Sequence, residues 1–354
     1  MRKKLALSAV SILFTLLLVE VALRIVGIGA AGRGSPWFAG GNHPRYLFQA
    51  DSAGYTLRPG FHGREVAQGH EFDVPVAIDT RGLREQPHPA PPQPVVLAIG
   101  DSMTFGEGVP ADRTFSAVIE REAGVRVENG GVPGYSSRQM VERLRHYLLT
   151  LRPAMVVMTL SPLWDRQRCA TPFAYQDGYI VARSYVGRLE LIGGNLYLKE
   201  TRLPVLGTLT AELKGHSNLM RLALPPLAGT AKKVFLHPKK PAPPTAADYE
   251  PTVQALAEAR RLAAAQGARF LAMLVDDRGP DYARDRAAVE KRLRDLGLPF
   301  AAANEMLPAA RWETLRYPLD THWNPAGHEA VGKALAPLVS APTESRGEEP
   351  APRP

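Results

Sequence analysis

The feature that most constrains the fold of this chain is a change of rhythm at Val95. From there, short apolar runs alternate with amphipathic stretches, the pattern of strands and helices taken in turn. Val95–Ile99 is continuously apolar and closed by Gly100, which suits a first strand buried on both faces. A helix is expected over Thr114–Glu122, a second strand over Val125–Glu128 ending at Asn129, a helix over Ser137–Leu149 and a third strand over Met155–Leu160. After a break the alternation resumes with an Ala-rich helix over Pro251–Gln266, a strand over Arg269–Val275, a helix over Tyr282–Leu296 and a short last strand over Leu298–Ala302. Asn324 as cap and Pro325 in the first turn open a closing helix that runs to Leu338. Strands and helices in strict alternation specify an α/β fold, a parallel sheet covered on both faces.

The segments around this core differ in kind. Arg2, Lys3 and Lys4 precede an apolar run from Leu5 to Val19 that resumes after Glu20 as far as Ile28. A basic start before such a run is an export signal, and its length approaches the roughly 20 residues that span a bilayer. Small residues at Gly29–Ala31 would suit a signal peptidase, but an uncleaved anchor over residues 1–29 is the favoured reading, with Glu20 and Arg24 pairing one helical turn apart. No Cys follows the run, which excludes a lipoprotein-type attachment. The remainder is therefore expected outside the cytoplasm, on the periplasmic or extracellular face. Residues 30–93, rich in Gly, Pro and His, read as an irregular, partly β collar. Residues 166–245 interrupt the alternation between third and fourth strands, far beyond an ordinary connection, and are expected to form a cap. They carry a hairpin signal, Leu189–Ile192 and Asn195–Leu198 around Gly193–Gly194. Residues 339–354, mainly Pro, Glu and Arg, are expected to be disordered.

Composition removes several function classes. A formal charge of +8 invites a nucleic-acid reading, yet the Lys and Arg are scattered and no zinc-finger spacing or basic–aromatic run occurs. The single Cys169 permits neither an internal disulfide nor a Cys-based metal cluster.

Four pieces fall at the carboxyl ends of the expected strands, where open α/β sheets bind ligands. Gly100-Asp101-Ser102-Met103-Thr104-Phe105-Gly106 places Ser102 at the mouth of the sheet and the start of a helix. The backbone N–H and helix dipole there would face an oxyanion formed by attack on a carbonyl. Asn129-Gly130-Gly131-Val132-Pro133-Gly134 lets backbone approach a ligand and offers Gly134 N–H as a second donor. Ser161-Pro162-Leu163-Trp164-Asp165 follows the third strand, and Asp320-Thr321-His322-Trp323 puts an acid and an imidazole just before the last helix. Asp320 can hold the imidazole tautomer while the other ring nitrogen takes the serine proton. An Asp-x-His pair also occurs in metal sites, but no other ligand has suitable spacing, so neither metal nor cofactor is called for.

In this order, these blocks resemble those of the SGNH (GDSL) hydrolase superfamily. The resemblance covers about Pro94–Leu338, interrupted by the insertion. It implies a flavodoxin-like three-layer αβα sandwich that cleaves or transfers acyl esters through an acyl-enzyme. Carried over by block, it makes Ser102 the nucleophile, His322 the base, Asp320 its acid partner, and Ser102 and Gly134 oxyanion donors. The family's third block normally reads Gly-x-Asn-Asp. Here Trp164 stands at the Asn position of the oxyanion hole, with Asp165 retained. A missing donor of this kind typically costs about 10²–10³ in rate. Asp101, Asn129, Asp165 and Trp323 are the expected substrate-binding residues. The spacing of one residue between Asp320 and His322 is similar to that of proteins that O-acetylate envelope polysaccharides, although those carry the pair before the serine.

Three functions are compatible with these residues. The first is a carboxylic-ester hydrolase acting on a cell-envelope carbohydrate or lipid-like ester. The second is an O-acyltransferase passing the same acyl group to a polysaccharide hydroxyl. The third is a catalytically weak domain that binds glycan through Trp164, Trp323, Trp312 and Tyr135. The expected partners are an acyl-ester substrate, a polysaccharide ester among the candidates, and the membrane through the amino-terminal helix, with no nucleic acid.

Overall fold

A computed structural model describes residues 2–26, 43–67, 71–183, 243–275, 280–307, 314–318, 320 and 322–340, with short pieces at 186–187, 189–192, 195–198 and 219. The chain opens with helix α1, Arg2–Val26. Two antiparallel pairs follow, β1 (Phe48–Gln49) with β2 (Thr56–Leu57) and β3 (His62–Val66) with β4 (Asp73–Ala77). The α/β part comprises β5 (Val95–Gly100), α2 (Ser102–Phe105), α3 (Phe115–Ala123), β6 (Arg126–Gly131), α4 (Ser137–Leu151), β7 (Met155–Leu160) and α5 (Pro162–Ala170). Two hairpins lie beyond it, β8 (Phe173–Gln176) with β9 (Tyr179–Ala182) and β10 (Leu189–Ile192) with β11 (Asn195–Leu198). The chain closes with α6 (Glu250–Ala265), β12 (Arg269–Leu274), α7 (Pro280–Asp295), β13 (Phe300–Ala302), α8 (Ala303–Met306) and α9 (Pro325–Ser340).

Five strands pair in the order β13-β12-β7-β5-β6, all parallel. Numbered along the sheet in chain order, this is the 2-1-3-4-5 arrangement of flavodoxin-like sheets, so the expected fold class stands on topology alone. Strands β5, β7 and β12 divide their side chains between two cores. Leu97 and Ile99, Val156 and Met158, and Phe270 and Leu274 pack on one face, with Leu144 of α4, Leu256 of α6 and Val289 of α7. Val96 and Ala98, Val157, and Leu271 and Met273 pack on the other, with Ile119 of α3 and Val331 and Leu335 of α9. This is the period-2 consequence of the pleat, and it explains why the strands read as continuous apolar runs.

The residues from 43 onward do more than space the domain from its amino terminus. Leu47, Phe48, Tyr55, Leu57, Val76, Ile78 and Leu83 are buried in the same core as α4 and the central strands. Arg84 N–H donates to Asn129 O at 2.9 Å, which ties the collar to β6. The turn at Gly193–Gly194 lies outside the described residues, as do Trp312, Thr321 and most of the expected cap. Among the described residues, no helix is long and apolar enough to cross a membrane. The backbone of α1 nevertheless runs for 25 residues, and Val10, Ile12, Leu13, Phe14 and Leu17 are exposed along it.

Close backbone approach fixes one glycine that matters for the site. A Cβ built on Gly131 would lie 2.2 Å from Phe105 N, so the end of β6 rests directly on α2. Gly131→Ala is expected to cost about 1–3 kcal/mol or more in chemical denaturation, because the obstacle is backbone and cannot rotate away.

Candidate active site

Ser102 is the first residue of α2, immediately beyond β5, at the switch point where the sheet order turns from β5 to β7. The short helix is fixed at both ends. The Asp101 carboxylate accepts from Met103 N at 3.0 Å, and Gly106 closes it with φ 83° while its N–H donates to Ser102 O. As the first N–H of a helix, that of Ser102 has no intrahelical acceptor.

His322 reaches this serine from the segment before α9. Its Nε2 lies 2.7 Å from Ser102 Oγ, and its Nδ1 lies 2.5 Å from Asp320 Oδ1. The same Asp320 oxygen accepts the His322 backbone N–H at 3.0 Å, so carboxylate and ring are locked as one unit. Glu71 holds Asp320 in turn, accepting its backbone N–H at 2.7 Å. The segment is positioned by Asn324, whose Oδ1 accepts from Gly327 N at 3.0 Å and whose Nδ2 donates to Thr314 O at 2.9 Å. Asn324 thus caps α9 and pins the preceding turn at once.

Electrostatics favour a charged pair. Burial works against a proton on His322, but Glu107 and Asp320 outweigh it and raise the imidazole to about 9. Burial would raise the Asp320 carboxyl, yet the neighbouring imidazolium holds it below its ordinary value. Glu107, Asp320 and His322 bring possible ligand atoms within 4.8 Å of one another. Both ring nitrogens of His322 are already engaged, Nδ1 by Asp320 and Nε2 by Ser102, so the cluster is not read as a metal centre.

Gly134 sits in the loop after β6 with φ 80°, and a Cβ there would come within 2.6 Å of Phe173 and 2.7 Å of Tyr55 Oη. The collar and the β8–β9 hairpin therefore close over this loop, and only glycine fits beneath them.

Several expected substrate contacts are instead structural. Trp323 is fully buried, its ring edge-on to Phe115 and His328, so it has no face to offer a ligand. Asn129 is also fully buried, donating to Thr104 O at 2.9 Å and Ser116 Oγ at 3.1 Å while accepting from Gly131 N. It staples α2 to β6. The Asp165 carboxylate accepts from Ser137 N and Oγ and from Thr252 Oγ at 2.6 Å, joining α4, α5 and α6. Asp101 is spent on its cap, and Tyr135 is buried with its hydroxyl donating to Tyr55 O. Trp164 differs from these. It is 40 % exposed, edge-on to Tyr282, with the Arg168 guanidinium 5.9 Å from its ring centre and 4.3 Å from that of Phe173. Its described contacts are with these neighbours rather than Ser102, which suits a surface platform better than an oxyanion donor.

Three buried residues with no motif or ligand spacing in the sequence lie beside His322: His43, Glu65 and Glu107. His43 Nδ1 lies 2.6 Å from Glu65 Oε1, His43 Nε2 lies 3.3 Å from Glu107 Oε2, and the same Glu107 oxygen lies 3.5 Å from His322 Nε2. Burial opposes protonation of His43, but Glu107 and Glu65 together raise it to about 10. Both histidines bind a proton more tightly folded than unfolded. Their contribution to stability is whole below pH about 6.5 and is lost as pH rises past about 9 for His322 and about 10 for His43. Tm is expected to fall across that alkaline window, which a melting series between neutral pH and the upper value checks.

No protein-family model matches the chain. No curated protein matches it either. Solved structures do, at a distance. A member of the lipolytic protein G-D-S-L family from Veillonella parvula is 12% identical with a TM-score of 0.37, over 69% of this chain and 97% of that one. A lipase/acylhydrolase from Enterococcus faecalis is 12% identical with a TM-score of 0.38, over 70% and 95%. A catalytic mutant of an acetylxylan esterase from Geobacillus stearothermophilus is 14% identical with a TM-score of 0.37, over 71% and 95%. At these scores the likeness carries no activity across, and the functional argument rests on the site itself.

Proposed function

We propose that the protein is a carboxylic-ester hydrolase of the SGNH type, with Ser102 as nucleophile, His322 as general base and acid, and Asp320 as the partner of His322. The observation that carries this reading is the continuous chain Ser102 Oγ, His322 Nε2, His322 Nδ1, Asp320 Oδ1, with steps of 2.7 Å and 2.5 Å about the ring. Ser102 Oγ attacks the ester carbonyl as its proton passes to Nε2. The tetrahedral oxyanion is met by the N–H groups of Ser102 and Gly134. Collapse breaks the ester C–O bond, and Nε2 returns the proton to the leaving alcohol. Water then repeats the sequence on the acyl-Ser102 ester, releasing acid and free serine.

The proposed substrate is an acyl ester on a cell-envelope carbohydrate or lipid-like molecule. The exposed Trp164 ring with Arg168 beside it is a surface on which a sugar ring can stack. We further propose that α1 tethers the domain to a membrane with the site outside the cytoplasm, on the strength of the basic start and the apolar run to Ile28. Cell fractionation of the full chain tests this, and recovery in the soluble fraction would refute it. For the activity, the test is release of p-nitrophenol from its acetate and butyrate esters, with and without an envelope polysaccharide. Release without acceptor supports hydrolysis. Release only with acceptor, yielding an acylated glycan, would replace this reading by acyl transfer.

A further inference from the structure

His322 is met by two carboxylates. Asp320 lies at Nδ1, and Glu107, from the loop after α2, lies 3.5 Å from Nε2, the nitrogen that exchanges a proton with Ser102. Glu107 is 2% exposed, and His43 stands behind it, between Glu107 and the fully buried Glu65. Ionised carboxylate oxygens only accept, and a neutral imidazole has one N–H, so His43 satisfies both neighbours only as the imidazolium. A buried carboxylate without a cation would take up a proton. His43 supplies that cation from the collar. The Glu107 loop is held as tightly as the residue it carries. Arg84 donates to the carbonyls of Phe105, Gly106 and Val109, Gly108 N donates to Glu65 Oε2 at 3.1 Å, and Tyr317 Oη donates to Gly108 O at 2.7 Å.

We infer that Glu107 is a positioning residue for the reaction proposed above, kept ionised by His43, and that it stabilises the imidazolium formed on His322 as Ser102 gives up its proton. No atom is exchanged with Glu107. The proton moves from Ser102 Oγ to Nε2 and then to the leaving alcohol, while the carboxylate remains charged beside it. The remaining neighbours do not cancel this field. Asp320 and Asp101 add to it, and Glu71 lies behind Asp320. Of the cations nearby, His43 meets the same Glu107 oxygen at 3.3 Å, and the Arg84 guanidinium donates to the carbonyls of Phe105, Gly106 and Val109. Burial pushes His328 down to about 3, so that ring is neutral and adds no opposing charge.

The inference rests on the triad reading, so its test has one arm that needs no turnover. In the first arm, kcat/KM for p-nitrophenyl acetate is followed against pH in the full chain and in Glu107→Gln. The wild-type rate is expected to rise towards an inflection near 9, that of His322. In the variant the inflection should fall by roughly 1–3 units, the usual effect of removing one opposite charge at this range. A folded variant with an unmoved inflection would overturn the inference. In the second arm, ¹⁵N-histidine spectra of the wild-type full chain are recorded at about pH 8, where an unperturbed imidazole is neutral. His43 protonated on both nitrogens is expected, and a neutral His43 would overturn the inference even if Glu107→Gln failed to fold. If no ester were turned over at all, the triad reading would fail while the His43 result still decided the charge chain.

Discussion

Ser102→Ala is expected to lower ester hydrolysis by about 10⁴-fold or more while leaving the fold intact. The half-buried hydroxyl contributes one hydrogen bond, to His322, and its removal leaves neither a cavity nor a buried orphan of consequence. Its chemical role has no substitute nearby. Cys169 is drawn into the Ser137–Asp165 cluster, and burial pushes its thiol up to about 11, so it cannot act as a replacement nucleophile. Any activity left would come from binding and the oxyanion donors alone, without a covalent intermediate. Equal denaturation midpoints for the two proteins, with the rate lost in one, would show that the loss is chemical.

Asp320→Asn is the second large effect, about 10³–10⁴ in kcat with little change in KM. One Asp320 oxygen accepts from both His322 N and Nδ1, which forces the proton onto Nδ1 and frees Nε2 to accept from Ser102. An amide in its place can present an N–H to Nδ1 and stabilise the opposite tautomer, which turns the Nε2 proton towards Ser102. The variant also loses one of the charges that raise His322, so its residual pH profile should begin at lower pH. A fall in kcat without that displacement would indicate that the ring had merely shifted.

The sheet was legible because its information is local. Met155–Leu160 matches the expected strand at both ends, and the capped starts of α3 at Thr114 and α9 at Asn324 follow the residue types found there. The contact of Ser102 with His322 and Asp320 could be expected because these residues stand in two short blocks, one just after β5 and the other just before α9. What lay beyond the sequence was direction. Nothing in a Trp-Asn pair before a helix tells that Trp323 faces the core against Phe115, or that Asp165 reaches Ser137 and Thr252 rather than a ligand. The charge chain was hidden for the same reason. His43 lies before β1, Glu65 in β3 and Glu107 in the loop after α2, each ordinary by itself, and only the packing of the collar onto α2 brings them to one point. That packing also explains why a stretch rich in Gly, Pro and His belongs to the domain. Its few apolar residues complete a core that the α/β elements leave open, and its polar ones serve the site.

Covalent labelling tests the central claim most directly. The full chain is treated with a fluorophosphonate, which phosphonylates a serine activated by a neighbouring base with loss of fluoride, and the adduct is located by peptide mass mapping. One phosphonyl group on Ser102, absent from Ser102→Ala and slower to form in Asp320→Asn, is the predicted result. A folded wild-type protein that stays unmodified, or carries the label on another residue, would contradict the assignment of Ser102 as nucleophile.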